Sequence, residues 1–162
     1  VIFLQRPRIE GSNFRLRAGI DRRTVSYGRG TSTKGDDMSN VDTARAAYEA
    51  FSRGDMEALS EMLAEDGTWL TSDELPLGGE THGRDTILGN FAQIPNYWSS
   101  FSVEPEEFID AGEWVVIRGT QRAGNDAGSF EAPFAHLMKF EDGKIVRGEF
   151  YADSAKAAKV LA

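Results

Sequence analysis

Ser129-Phe130-Glu-Ala132-Pro-Phe134-Ala-His136-Leu-Met138-Lys-Phe140-Glu-Asp142-Gly143-Lys144-Ile145, running on to Phe150-Tyr151-Ala152, decides how this chain folds. From 130 to 140 every second residue is Phe, Ala, Phe, His, Met or Phe. A period of two puts these six side chains on one face of a strand. Asp142-Gly143 follows at once, and both residue types tolerate the positive φ of a two-residue hairpin turn. Strands over 129–140 and 144–152 are therefore expected to pair antiparallel. Working backwards, Gly124-Asn125-Asp126 and Ala111-Gly112 are turn signals. They divide the preceding chain into strands over 100–109 and 113–122, which completes a four-strand meander. Working forwards, Asp153-Ser154 can cap a last helix over 154–161.

Before the meander the period changes to that of helices. Ser39 with Asp42 three residues later resembles a capping box, with Asp for Glu. Val41, Ala44, Ala47, Tyr48 and Phe51 then keep to one stripe. Gly54 ends that helix and Asp55 can cap the next, whose apolar face is expected to be Met56, Leu59, Met62 and Leu63. Thr68-Trp69-Leu70-Thr71 reads as a short strand, and the Gly/Pro-rich stretch 73–83 as a loop. A third helix is expected from a cap near Asp85, with Ile87, Leu88 and Phe91 inward, stopped by Pro95. Helices first and an antiparallel meander after them is an α+β order, not the alternation of a doubly wound sheet.

The 162 residues suit one domain. Residues 1–37 differ from the rest: they are rich in Arg, Gly, Ser and Thr and keep no apolar period. They carry eight Lys/Arg against four Asp/Glu, a balance of +4, whereas residues 38–162 carry ten against twenty-two, a balance of −12. The expected division is thus a disordered basic N-terminal extension over 1–37 and a folded domain over 38–162. The opening Val and the helix start at Met38 suggest a cloning remnant or an upstream translated stretch; an Arg-rich transit peptide is the alternative. A domain this acidic repels nucleic acid and anionic lipid, so neither is expected as a partner. No apolar run approaches the ~20 residues of a membrane helix. There are no cysteines, hence no disulfide framework and no thiolate chemistry. These features together favour the cytoplasm.

Few residues carry chemistry. His136 is one of two histidines, and it stands within an aromatic row. An imidazole there can act as acid, base or hydrogen-bond donor near neutral pH, or can be a core histidine bonded to a neighbour. Arg118 follows the apolar run Trp114-Val-Val-Ile117 and needs an anionic partner if its face is buried; that partner is a ligand group or an internal carboxylate such as Glu131 or Asp153. Trp69, Trp98, Phe101, Phe134 and Tyr151 are candidate walls of an apolar pocket, or core. His82 and His136 are far apart with no Cys partner, so no metal site is expected, and no dinucleotide, P-loop or nucleophile-elbow motif occurs.

Two sets of residues carry a resemblance. Phe51-Ser-Arg-Gly54-Asp55, Leu63-Ala-Glu-Asp66 and Gly83-Arg84-Asp85-x-Ile87 are similar to the front half of NTF2-like proteins. Phe134-Ala-His136 through Ile145, with Phe150-Tyr151-Ala-Asp153, resembles the back half of the SnoaL-like, ketosteroid-isomerase-related branch. The resemblance implies a cone: a strongly curved, mostly antiparallel sheet wrapped around the N-terminal helices, with a pocket for a small apolar molecule. It also implies a homodimer formed through the outer sheet face, where alternation with the inward row puts Ala135, Leu137 and Lys139. It makes Asp153, the Asp of a Tyr-x-Asp ending, a candidate acid or base, unless it only caps the last helix. Of three isomerase roles, the general base falls at Thr71, the oxyanion Tyr at Ala47 (Tyr48 is one residue off) and the second donor at His136, so two are missing. Of the Asp, Arg and Asp of limonene-type epoxide hydrolases, only Arg118 matches; Thr120 and Phe150 stand for the carboxylates. The resemblance implies a cofactor-free isomerase, cyclase or lyase using His136, Asp153 and Arg118 on a carbonyl-bearing substrate. Alternatives are a non-catalytic binding protein and a dimeric interaction scaffold.

Overall fold

The computed structural model describes residues 38–162, together with two backbone segments, β1 (Leu16–Arg17) and β2 (Thr24–Val25). The expectation of a disordered extension over 1–37 otherwise lies outside the described residues.

Helix α1 (Asn40–Arg53) starts where the sequence signals it. The Ser39 hydroxyl oxygen accepts from the Asp42 N–H at 3.1 Å, and Gly54 closes the helix at φ +69°. Asp55 caps α2 (Met56–Met62) through the Ala58 N–H at 3.0 Å. Leu63, expected on the face of that helix, is instead the first residue of β3 (Leu63–Thr71), extended at φ −86°, ψ 139°. It is buried all the same, so apolar spacing could not tell the helix end from the strand start. Part of the expected loop 73–83 is a strand, β4 (Gly79–His82), paired antiparallel with β3 from Thr68↔His82 to Thr71↔Gly79. Helix α3 (Arg84–Gln93) has no side-chain cap; Gly83 at φ +85° precedes it, and Asp85 sits in its first turn, where it complements the helix dipole. A 3₁₀ turn at Ile94–Asn96 follows.

The meander forms as expected: β5 (Ser100–Ala111), β6 (Trp114–Asn125), β7 (Gly128–Glu141) and β8 (Lys144–Ala152), then α4 (Ser154–Leu161). Asp142 and Gly143 both have positive φ, +49° and +74°, as a type I′ hairpin requires. The sheet order is β4-β3-β8-β7-β6-β5, with β1 and β2 both parallel to β5 along its outer edge. Within the six main strands, only β3 with β8 is parallel. The sheet curves around α1, α2 and α3. The whole row Phe130, Ala132, Phe134, His136, Met138 and Phe140 is buried. A main core joins Phe134, Met138 and Phe140 of this row to Ala44, Ala47 and Tyr48 of α1 and to Phe108 and Ile117 of the sheet. A second, smaller cluster joins Trp98, Ala123, Phe130, Ala132 and Ala157 under α4. Each fully buried side chain such as Phe108 or Ile117 contributes about 1.5–3 kcal/mol. Among the described residues no helix is long and apolar enough to cross a membrane.

Candidate functional site

Between the concave face of the sheet and the helices lies a cavity of about 730 Å³, a size common to small-molecule sites. β7 supplies its central polar group. His136 is 4% exposed and lines the cavity. Its ring lies 4.1 Å from that of Phe134, stacked, and 4.0 Å from that of Phe150, tilted. Burial among these rings pushes the imidazole pKa well below its ordinary 6.5, because the charged form loses its hydration. The ring is therefore neutral at pH 7.

One hydrogen bond decides which nitrogen keeps the proton. The Tyr48 hydroxyl, buried on the inner face of α1, lies 2.6 Å from His136 Nδ1. Burial raises the phenol pKa well above its ordinary value, so the hydroxyl keeps its hydrogen. Nδ1 is the one acceptor it meets among the described residues. A buried O–H without an acceptor costs about 1–3 kcal/mol, so the favoured arrangement has Tyr48 donating to Nδ1. With Tyr48 donating to Nδ1, the ring proton sits on Nε2, the nitrogen left over for a ligand. A neutral donor is thus fixed on rigid elements inside an apolar cavity.

The walls are aromatic. Trp69 of β3 stacks on Phe150 at 4.3 Å and meets Phe91 of α3 edge-on at 5.3 Å. Trp69 needs the bare backbone beneath it, since a Cβ on Gly148 would stand 2.5 Å from the indole ring. Phe101 and Trp98 line the cavity further along, with Trp98 edge-on to Phe130 at 5.5 Å.

The remaining expected site residues divide. Trp69, Trp98, Phe101, Tyr151, His136 and Asp153 all line the cavity. Phe134 does not; it stands behind His136, stacked on the rings of Tyr48 and His136. Tyr151 is half exposed at the edge and its hydroxyl donates to Glu149 at 2.9 Å. Asp153 is exposed and its Oδ1 accepts from the Lys156 N–H at 3.2 Å as the cap of α4. Arg118, expected at the site, lies on the outer face of β6, 66% exposed, and pairs with Glu107 at 3.0 Å rather than with Glu131 or Asp153. The inward phase of β6 belongs to Val115, Ile117 and Gly119. Sequence reasoning passed over Tyr48 because aligning on Gly54-Asp55 assigned its role to Ala47; its place in the apolar stripe of α1 was the available signal. Among the described residues no three His, Asp or Glu side chains are grouped to hold a metal ion.

Comparison with known proteins agrees with this architecture. A model of the SnoaL-like domain matches residues 44–148. An NTF2-like protein of unknown function from Burkholderia pseudomallei superposes with a TM-score of 0.72 at 34% identity, covering 77% of this chain and 99% of that one. An uncharacterized protein of Mycobacterium tuberculosis is 28% identical over 124 residues, covering 74% of this chain and 93% of its own. TerC, solved co-crystallized with polyporic acid, superposes with a TM-score of 0.69 at 26% identity, covering 75% of this chain and 97% of that one.

Proposed function

The chain belongs to the SnoaL-like domain family, and on that premise we propose that it is a cofactor-free enzyme of isomerase, cyclase or lyase type. It acts on a small, largely apolar, carbonyl-bearing molecule. The observation that carries this reading is the Tyr48–His136 pair, 2.6 Å apart and buried at an aromatic cavity. The co-crystal of TerC with polyporic acid supports small-molecule binding in a similar fold.

In this mechanism the substrate carbonyl oxygen accepts from His136 Nε2–H. When a proton leaves the adjacent carbon, negative charge grows on that oxygen and the hydrogen bond strengthens. The proton passes to the Asp153 carboxylate, whose Oδ2 is left free by the cap, and returns to the carbon skeleton at another position. Arg118 takes no part. Replacing His136 by Ala is expected to lower turnover about 10²-fold or more, the cost of one oxyanion donor. His136→Gln keeps a donor and should recover part of it. Dissociation constants should change less than turnover. Turnover left intact in a folded His136→Ala variant would overturn the catalytic reading.

The second reading is a non-catalytic binding protein. It is favoured by the state of Asp153, exposed and already engaged as a helix cap. Either way we propose a homodimer through the outer sheet face, where the half-buried Val116 and Leu137 stand directly opposite one another, and a cytoplasmic location.

A further inference from the structure

The cavity lining carries an amide well separated from His136. On β6 the inward phase Val115, Ile117, Gly119 continues to Gln121, which lines the cavity. Its amide has no hydrogen-bond partner among the described residues. Ile117 pairs with His136 across β6 and β7, and Gln121 pairs with Ala132. Gln121 therefore stands four residues along the same concave face from His136, roughly 13 Å at strand rise. The small Ala132 opposite it leaves the amide room, and the Trp98–Phe130 cluster lies beside it. Val103, opposite Gln121 on β5, and Phe130 add apolar lining beside it.

The charge of the lining narrows the ligand further. No Lys or Arg is among the described lining residues, and its only carboxylates are Asp73, Glu80 and Asp153. An anionic ligand would lose its hydration without meeting a cation in the lining, and these carboxylates would repel it. We infer that the pocket takes an uncharged, elongated, ring-containing molecule with an oxygen function at each end, one held by His136 and the other by Gln121. This deepens the function proposed above and rests on it for the His136 end. It adds a specificity-determining residue, since an amide can both donate and accept and so reads a carbonyl or a hydroxyl.

The test uses three matched probes with the full chain: 4,4′-diacetylbiphenyl, 4-acetylbiphenyl and 4′-acetylbiphenyl-4-carboxylate. Binding is read by quenching of tryptophan fluorescence, since Trp69 and Trp98 line the cavity, and is checked by calorimetry. The two-ended probe should bind about fivefold more tightly than the one-ended probe, the effect of one additional neutral hydrogen bond. The carboxylate should bind at least about tenfold more weakly than the diacetyl compound. In Gln121→Leu the fivefold advantage should vanish while 4-acetylbiphenyl still binds; that retained binding also shows that the variant is folded. An advantage that persists in Gln121→Leu, or a carboxylate that binds as well as the diacetyl compound, overturns this inference alone. Failure of all three probes to bind the wild-type chain overturns it together with the small-molecule reading.

Discussion

Tyr48 and His136 share one hydrogen, and the sharing can be measured without any substrate. Tyr48→Phe keeps the ring and removes the donor, so Nδ1 loses its buried partner. The expected result is a stability loss of about 1–2 kcal/mol in denaturant titrations and a mixture of imidazole tautomers. Nitrogen NMR of His136 would report the mixture; an unchanged Nε2–H tautomer would show that Tyr48 does not set it. The depressed imidazole pKa has a consequence of its own. The unfolded chain takes up this proton near its ordinary 6.5, whereas the folded chain does so only at lower pH. Stability from this group is therefore fully present above about pH 6.5 and lost as pH falls below it. His136→Gln should flatten the wild-type decline between neutral pH and mild acid, as read from denaturation midpoints; parallel declines would contradict the linkage. His136 was legible in the sequence because five apolar neighbours shared its phase. Arg118 was not, because Trp114 and Val116 make the outward phase of β6 as apolar as the inward one. Alternation gives the period of a strand but not which phase is buried when both are apolar.

Strands here are shaped by what lies over their glycines. Gly119 of β6 lies under the Phe134 ring, and an added Cβ would also stand 2.1 Å from the Glu104 carbonyl oxygen. At Gly148 of β8 the three atoms nearest to an added Cβ belong to the rings of Trp69 and Phe150, at 2.5–2.8 Å. The two alanine substitutions should therefore differ. Gly119→Ala must move backbone and is expected to cost the fold about 1–3 kcal/mol. Gly148→Ala should chiefly tilt Trp69, weakening probe binding more than stability. Equal loss of stability in both, with binding by Gly148→Ala intact, would contradict this division. The hairpin at Asp142-Gly143 was readable because its turn chemistry is local. β4 was not: Gly79-Glu-Thr-His82 has no apolar alternation, and its structure comes from hydrogen bonding to β3, a partner that local composition does not reveal.

The domain as a whole was legible in its order of elements, helices before meander, and in the family resemblance; the cavity was legible only as a set of aromatic candidates. Its assembly is open to a direct test. Val116 and Leu137 on the outer face are ringed by ion pairs, Arg118 with Glu107 and Arg122 with Glu104 and Glu131. Sedimentation at micromolar concentration should give a dimer for the wild-type chain and a monomer for Leu137→Glu; a wild-type monomer would remove the dimer from the proposal. The sheet also imposes an order in time. β3 has its parallel partner in β8, with Thr68 beside Arg147, and β4 is attached to the sheet only through β3. A ribosome makes β3 and β4 well before it makes β8. Until β8 emerges, the β3–β4 pair that carries Trp69 and Leu70 has no link to the main sheet, and the hollow that His136 faces has one wall missing. Closing so long a stretch of chain is slow, so the nascent protein exposes aromatic surface until β8 is made, the kind of surface that makes incomplete chains prone to aggregate. A stop codon anywhere before Lys144 would then yield a chain that cannot close, however well its first helices form.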